Sequence, residues 1–397
     1  MGLAGIQQQK GGLRQRRRWN ILDLFPERIP ISPPTHPDHA LAAGARFRFD
    51  DGMKTRVPLI LILLGILLGI TGFAEDPAAP GGYTPPRCEL LPLPDDQVAF
   101  LHEGKEVSRW HFDPKYPRPF FYPFNGPSGV SLTRMGHPGA QNHDHHRSIW
   151  FAHAKVEGVD FWSENTKARI RQKHWLAYED GDEESIMTAS LGWYDEAGVE
   201  LIDHELVVSS RPGDEGGQFL EFQITLRPGA GQEQVTLEKS NFGLLAVRVA
   251  KSITHHFGGG ELTSSEGTRG EEAIFEKTAA WMDYSGPVTS GIGPDRKTVV
   301  EGITFYDHPG NPRYPTPWHV RSDGWMGASF CQREPWTIEA AKPLVLRYLL
   351  HAHAGDLDPD KATIVAADFA KRPGFVVEKA KRPHRQFEAA RTGAAAP

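Results

Sequence analysis

The stretch Ile186-Met-Thr-Ala-Ser-Leu-Gly-Trp-Tyr194-Asp-Glu-Ala-Gly198 is followed at once by Glu200-Leu-Ile-Asp-His-Glu-Leu-Val-Val208. Two runs rich in apolar and β-branched residues thus flank a short turn that contains Asp and Gly, which is the pattern of a β-hairpin. Apolar and polar residues then alternate along Phe219–Leu226, as in a strand with one buried face. This part of the chain predicts consecutive antiparallel strands.

The same pattern extends in both directions. Gln97–Leu101 and Val107–Phe112 indicate another hairpin, and Leu344–His353 indicates a late strand. Only Asp360–Lys371, between Pro359 and Pro373, has the pattern of a helix. We therefore expect an all-β fold, a large antiparallel β-sandwich of the supersandwich kind with a short C-terminal helix. Two smaller β domains are the alternative.

The composition is that of a globular protein that is rich in turns. The 397 residues are 39% hydrophobic and 24% charged, with 41 Gly, 32 Pro and a net charge of -6. Because no broad basic surface is indicated, we expect no nucleic-acid partner. The two cysteines, Cys88 and Cys331, have no metal-binding spacing, and the sequence leaves open whether they form a disulfide.

An apolar run near the N-terminus resembles a secretory signal. Met53-Lys-Thr-Arg56 is basic, Val57–Ile70 is apolar, and the small residues Gly72 and Ala74 follow. We expect a signal peptide at 53–74 and export to the periplasm or beyond; a single-pass membrane anchor is the alternative, and it would be the only membrane contact. The remaining boundaries are a misassigned or disordered segment at 1–52, a linker at 75–94, one domain at 95–378 and a disordered tail at 379–397.

The segment from His137 to His153 concentrates imidazoles. Imidazole is suited to proton transfer near neutral pH and is a common metal ligand. On a strand, side chains two residues apart face the same side, and the same spacing recurs at His351-Ala-His353. The candidates for proton transfer here are Asp144, His145 and His146, and those for substrate binding are His143, Arg147 and His153. The alternative use of the two spaced pairs, His143 with His145 and His351 with His353, is to bind a divalent metal.

A second polar segment runs from Asp307 to Arg321 and is rigidified by prolines. Amides and guanidinium groups bind hydroxyls, and an indole stacks on a sugar ring. A loop with a purely structural role is the alternative. The candidates are Asp307 and His308 for catalysis, and Asn311, Trp318, His319 and Arg321, together with His353, for binding.

Two further candidate groups are smaller. Asp160 and Trp162 follow the histidine segment and are expected to bind substrate, with Glu164 close behind. Glu238 is a candidate general base, although an exposed glutamate at a strand end would look the same. No GxSxG, phosphate-loop or HExxH motif occurs.

The chain resembles a family of exported bacterial proteins known as PmoA-like, or methane oxygenase PmoA. The likeness covers most of residues 95–355, and the overall plan is similar to the supersandwich of galactose-mutarotase-type proteins. The family label implies a copper or iron oxygenase, whereas the mutarotase-type plan implies action on sugars. The matching stretches are Pro119-Phe-Phe-Tyr-Pro123, Gly126-Pro-Ser-Gly-Val130, His143-Asp-His-His-Arg147, Trp150-Phe-Ala-His153, Val159-Asp-Phe-Trp162, Ala280-Trp-Met-Asp-Tyr-Ser-Gly286 and the segment from Asp307 to Arg321.

The residues favour an exported, carbohydrate-active protein. One histidine, His145 or His146, would transfer a proton, and Arg147 or Arg321 would stabilise developing negative charge. The reaction would be an epimerisation, elimination or hydrolysis of a sugar or glycoside. A metal-dependent oxygenase and a non-catalytic glycan-binding module are the two alternatives.

Overall fold

The computed structural model describes residues 84–137, 139–140 and 143–393, which form twenty strands and two helices. The helices are α1 (Glu271–Ile274) and α2 (Pro359–Lys371). The strands are β1 (Cys88–Leu93), β2 (Gln97–His102), β3 (Lys105–His111), β4 (Phe120–Phe124), β5 (Ile149–His153), β6 (Arg169–Glu179), β7 (Ser185–Tyr194), β8 (Glu200–Pro212), β9 (Gln218–Pro228), β10 (Gln234–Leu237), β11 (Gly243–Arg248), β12 (Glu261–Ser264), β13 (Trp281–Ser290), β14 (Lys297–Asp307), β15 (Trp318–Arg321), β16 (Trp325–Ala328), β17 (Trp336–Glu339), β18 (Leu344–Ala354), β19 (Phe375–Lys379) and β20 (Phe387–Arg391).

Two eight-stranded sheets form the body of the described residues. Sheet I has the strand order β1-β2-β3-β4-β5-β11-β16-β15, and sheet II has the order β12-β13-β14-β18-β9-β8-β7-β6. Two small two-stranded sheets, β10–β17 and β19–β20, complete the described strands. All strand pairs within the two large sheets are antiparallel. The prediction of a large antiparallel β-sandwich with a short C-terminal helix is confirmed.

Aromatic side chains join the facing surfaces of the two sheets. Phe121 of sheet I meets Phe222 of sheet II edge-on, with ring centroids 5.4 Å apart. Farther along the interface, Trp318 meets Phe305 at 4.8 Å. All four rings are buried in one continuous hydrophobic core. Burial of large aromatic side chains is the main stabilising contribution to such an interface.

The outer face of each sheet carries polar groups. In sheet I the register places Trp150, Ala246, Gly327 and His319 in one row across four strands. Because successive side chains alternate between the faces of a sheet, this row lies on the face opposite Phe151 and Trp318, which contact sheet II. The outer face of sheet II is covered in part by α2, whose Phe369 packs in a separate apolar cluster with residues of that face.

Strand β20 lies within 379–397, where a disordered tail was expected. Strands β19 and β20 form a hairpin on the outer face of sheet II, and Arg391 donates to both Glu184 and Glu221. These ion pairs depend on partners more than 150 residues away, so the local sequence does not reveal them. The expected linker at 75–94 also needs correction, because strand β1 begins at Cys88.

Other expectations for the termini lie outside the described residues: the segment 1–52, the signal peptide 53–74, the linker before residue 84 and the last four residues. Among residues 84–393, excluding the three internal positions not described, no helix is long and apolar enough to cross a membrane. The thiols of Cys88 and Cys331 are both buried and free, so no disulfide joins them.

Candidate functional site

A cavity of about 370 Å³ opens on the outer face of sheet I. It lies where the loop before β5 meets the ends of β11, β15 and β16. The cavity brings together part of the histidine segment, part of the 160–163 segment and residues of the β15–β16 hairpin. Its lining consists of His143, His145, His146, Ala154, Asp160, Trp162, Ser163, Phe242, Arg248, Arg321, Asp323 and Trp325.

Residues 143–146 of the histidine segment form a turn and not a strand. The His146 backbone N–H donates to the His143 carbonyl at 3.0 Å, which closes a tight turn. A buried guanidinium group holds this turn from below, because Arg118 donates to the His145 carbonyl at 2.6 Å and to the Phe161 carbonyl at 3.2 Å. As a result His143, His145 and His146 all line the same cavity. On a strand, by contrast, His146 would face the opposite side from His143 and His145.

His146 is the most enclosed of the three. Its ring stacks on Trp150 with centroids 5.4 Å apart, and its Nδ1 is buried without a hydrogen-bond partner among the described residues. Burial, with the neighbouring His145 imidazole and the Arg248 guanidinium, holds the pKa of His146 far below its ordinary value. His146 is therefore a neutral imidazole at physiological pH.

Aromatic rings form one wall of the cavity. Trp162 and Trp325 lie with ring centroids 5.5 Å apart, and Phe242 lies 5.8 Å from Trp325. Both indole Nε1 atoms are buried without an acceptor in the described part of the chain. Next to this wall, Asp160 accepts hydrogen bonds from the backbone N–H groups of Trp162 and Ser163. The wall thus combines flat apolar faces with a fixed carboxylate.

An ion pair between a buried guanidinium and a partly exposed carboxylate also lines the cavity. The fully buried Arg248 donates to both carboxylate oxygens of Asp323, at 2.8 and 2.9 Å. His137 Nε2 lies 3.0 Å from the same carboxylate, and Arg134 donates to the Asp323 carbonyl. Although burial acts in the opposite direction, the Arg248 guanidinium lowers the pKa of Asp323. This carboxylate is therefore ionised at neutral pH.

The end of strand β15 supplies two more polar groups. Arg321 lines the cavity and donates to Glu271 of α1 at 2.8 Å. His319 lies behind Trp325, with ring centroids 4.0 Å apart, and its Nδ1 hydrogen-bonds the Asn241 carbonyl at 2.9 Å. Since a carbonyl only accepts, His319 carries its proton on Nδ1. Burial lowers the pKa of His319 to about 4, so it too is neutral.

Four candidates near this segment lie outside the cavity lining. Asp144 is exposed at the top of the turn. Arg147 pairs with Glu164 through two hydrogen bonds, at 2.9 and 2.7 Å. His153 is completely buried, and its Nε2 hydrogen-bonds the backbone carbonyl of Glu238. The Glu238 carboxylate accepts from the Gly158 backbone N–H, which is a loop-fixing contact and not a substrate-facing one.

The 307–318 segment does not reach the histidine cavity, contrary to expectation. Asp307 and Asn311 are buried, and the Asn311 amide donates to the Asp307 carboxylate at 2.7 Å. The same amide donates to the Arg347 carbonyl and accepts from the Arg347 backbone N–H. The His308 ring lies 3.1 Å from the Arg347 guanidinium. These bonds fasten the loop to β18. Trp318 faces the inter-sheet core, because it occupies the inward position of β15, and its indole N–H donates to the Ala279 carbonyl.

The two spaced histidine pairs lie in different cavities. His143 and His145 line the cavity of sheet I, whereas His351 and His353 line a second cavity, of about 720 Å³, on the outer face of sheet II. They cannot share one metal ion. Among the described residues, no group of three or more His, Cys, Asp or Glu side chains is arranged to hold a metal. A metal centre formed by both pairs together, which is the alternative raised from the sequence, does not fit this geometry.

Several lining residues were not singled out from the sequence. Asp323 and Trp325 belong to the β15–β16 hairpin, and Phe242 precedes β11. The Asp323-Gly324 pair between two short apolar runs is a turn signal, and it could have marked the hairpin. Their approach to the histidine turn depends on the pairing of β11 with both β5 and β16, which the sequence alone does not give.

The cavity combines an aromatic wall with several groups that donate or accept hydrogen bonds. Flat indoles beside carboxylate, guanidinium and imidazole groups suit a hydroxyl-rich ligand with apolar faces. Neutral and charged groups of different acidity are within one enclosure, which is the usual requirement for acid–base catalysis.

The sequence model of one protein family, described as a family of unknown function (DUF6807), matches residues 97–367. The matched region contains every residue that lines the two cavities. A comparison with curated proteins finds no similar sequence.

Proposed function

The chain belongs to the DUF6807 family, and we propose that it is an exported carbohydrate-active protein whose sheet I cavity performs acid–base chemistry on a sugar. The observation that supports this most is the meeting of three imidazoles with the indoles of Trp162 and Trp325 in one enclosure. The reaction would be an epimerisation, an elimination or a hydrolysis. The cavity volume of about 370 Å³ suits one sugar unit.

The contacts distinguish the roles of the two central histidines. A general base works best when its pKa lies near the working pH. The pKa of His146 is held far below that range by burial, which makes His146 a weak base. Proton transfer therefore falls to His145, whose ring lies 4.3 Å from that of His146. His146 acts as a neutral hydrogen-bonding group that positions the substrate.

Arg321 is the cation best placed to stabilise negative charge on the substrate. It lines the cavity and is partly exposed, whereas Arg248 is fully buried and engaged with Asp323. Guanidinium groups that face developing oxyanions lower the energy of the transition state. Asp160, fixed by three hydrogen bonds, would bind sugar hydroxyls on the other side.

Two further parts of the proposal come from sequence likeness. The segment 53–74 would direct export, with cleavage after Ala74, and an uncleaved anchor is the alternative. We also propose that the chain is related to PmoA-like proteins and that its architecture is that of the galactose-mutarotase-type supersandwiches. The likeness to the supersandwiches favours sugars as substrates by analogy of fold.

The test is turnover of a panel of glycosides and oligosaccharides by the purified protein, with products identified by NMR and mass spectrometry. We expect His145→Gln to lower turnover by at least about 100-fold, the usual effect of losing a general acid or base. The matched control is His174→Gln, an exposed histidine on β6 away from the cavity, which should leave turnover unchanged.

The outcomes separate the alternatives. Full turnover by His145→Gln would contradict the role of that residue. Saturable sugar binding without any product would indicate a glycan-binding module. Stoichiometric copper or iron in elemental analysis, with activity lost on chelation, would support an oxygenase and overturn the proposal.

A further inference from the structure

The second cavity lies on the outer face of sheet II, between the sheet and the first turns of α2. Strand register places Asp283, Thr304, His351 and Phe219 in one row across β13, β14, β18 and β9. Other parts of this face pack against α2 and the β19–β20 hairpin. Thr304, His351 and Phe219 of the row line the cavity, and Asp283 lies buried beside them.

A buried carboxylate organises the cavity. Asp283 is almost completely buried and accepts hydrogen bonds from Ser285 at 2.5 Å and Thr304 at 2.9 Å. His353 Nε2 lies 2.9 Å from the same carboxylate. The carboxylate therefore fixes the orientation of the His353 ring, in the way that a carboxylate orients a functional histidine in many enzymes.

A glycine makes room for this arrangement. Gly302 pairs with His353 in the sheet, and a Cβ at Gly302 would lie 2.8 Å from His353 Cε1 and 2.2 Å from Ser285 Oγ. A distance below 3.0 Å is a steric clash, so any other residue would displace the imidazole. The absence of a side chain at Gly302 thus leaves the space in which the His353 ring lies while it contacts Asp283.

His351 gives the cavity a flat polar wall. Its ring stacks on Phe219 at 4.2 Å, with 12° between the planes, and lies 5.5 Å from the His353 ring. Within the described part of the chain the His351 ring forms no hydrogen bond, yet it lines the cavity. An imidazole without a protein partner that faces an open cavity is available to a ligand.

The rim of the cavity is acidic. Asp214, Glu215, Asp356 and Asp358 line it, and the lining cation Lys361 lies 3.6 Å from Glu215. A rim with this charge disfavours anionic ligands. Apolar surface from Leu357, Val365 and Phe219 completes the lining. The imidazole of His351 beside this apolar surface suits a molecule that carries hydroxyls and has an apolar face, and the rim excludes the anionic members of that class.

We propose that the cavity between α2 and sheet II is a second saccharide site, which binds a neutral sugar unit through His351 and against the ring of His353, whose two nitrogens are held by Asp283 and the Ala354 carbonyl. This site is separate from the cavity of sheet I and contains none of its residues. The two cavities lie on opposite outer faces of the sandwich. The chain would then hold two sugar units at once.

Ligand-observed NMR with the full chain tests this proposal. The probes are the methyl glycosides of glucose, galactose and mannose, with glucuronate as the anionic counterpart. We expect at least one neutral glycoside to bind Trp325→Ala, in which the first cavity is disrupted. In that background His353→Gln should weaken binding at least tenfold, and glucuronate should not bind.

His351→Ala is the second variant, because its ring forms no hydrogen bond in the described residues and its loss should leave the fold intact. His174→Gln, at an exposed position of β6, is the matched control and should bind normally. Thermal unfolding checks each variant. Binding that survives both His351→Ala and His353→Gln, equal binding of glucuronate, or no binding in the Trp325→Ala background would overturn the second site. Loss of sugar binding in His353→Gln alone, with Trp325→Ala unaffected, would instead overturn sugar binding in the first cavity.

Discussion

Asp323 is the residue on which the polar side of the first cavity depends. Asp323 neutralises the fully buried guanidinium of Arg248, which donates one hydrogen bond to each oxygen of the Asp323 carboxylate. Removing one partner of a buried ion pair leaves an uncompensated charge. We expect Asp323→Asn to lower the free energy of unfolding by about 2 kcal/mol, less than for a fully buried pair because the carboxylate is partly exposed. Urea denaturation measures this change.

Asp113→Asn is the matched control for that prediction. Asp113 pairs with the exposed Lys115, and its Oδ1 also accepts from the Lys115 backbone, a bond that asparagine can retain. Surface pairs contribute little, so the control should change the free energy of unfolding far less than Asp323→Asn does. Equal losses in the two variants would show that the Arg248 pair has no special role.

Single residues were predictable where the chemistry was local. His143, His145 and His146 are adjacent in sequence, and they do line one cavity. Asp307 and Trp318 look equally functional in the sequence, but strand parity and hydrogen bonds to β18 turn them into structural residues. Residue type alone does not distinguish a buried structural carboxylate from one that faces a ligand.

The β19–β20 hairpin is attached to sheet II through ion pairs that a single substitution can remove. Arg391 donates to Glu184 and to Glu221, and Glu221 is almost completely buried. Against the opposing effect of burial, Arg391 helps lower the pKa of Glu184 to about 2, so this carboxylate is charged at neutral pH. Arg391→Ala should destabilise the protein by about 3 kcal/mol, which a urea titration would detect.

Arg382→Ala is the comparison variant on the same hairpin. Arg382 is exposed and lies 3.4 Å from Glu179, so its loss should cost less than about 1 kcal/mol. If Arg391→Ala were no more destabilising than Arg382→Ala, the hairpin would not be fastened through its ion pairs.

Elements with a strong periodic pattern were predicted well, and the hairpin was not. Strands β7, β8 and β9 alternate apolar and polar residues and follow short turns, which are local properties. Strand β20 is short, and it is stabilised by the charges of Glu184, which immediately precedes β7, and of Glu221 on β9. Its sequence alone therefore resembles a disordered tail.

At the scale of the whole molecule, buried neutral histidines make stability depend on pH. Burial lowers the pKa of His102, His153, His308 and His319 to about 4 each, and that of His204 to about 3. In the unfolded chain each would have a pKa near 6.5. Below about pH 6.5 the unfolded state therefore binds more protons than the folded state, and stability falls as the pH decreases.

We expect the free energy of unfolding to fall steeply between pH 6.5 and 5, by up to about 1.4 kcal/mol per pH unit for each of these histidines. Denaturation in urea at several pH values gives the slope. His102→Gln should reduce the slope, whereas the exposed His174→Gln should not. His353 acts in the opposite sense: Asp283 raises its pKa against the effect of burial, so its contribution is lost as the pH rises through that pKa. Stability that is constant over this range would contradict the expectation.

The two free thiols can serve as built-in reporters of local opening. Cys88 lies on the edge strand β1, whereas Cys331 follows β16 near the other edge of sheet I. Burial raises the pKa of Cys88 to about 11 and that of Cys331 to about 12, so neither reacts readily while it is covered. The rates at which a thiol reagent labels the two cysteines would therefore measure how often each edge of the sheet opens. A chain with no disulfide and two such thiols records, without any engineered label, which edge of its sandwich opens first.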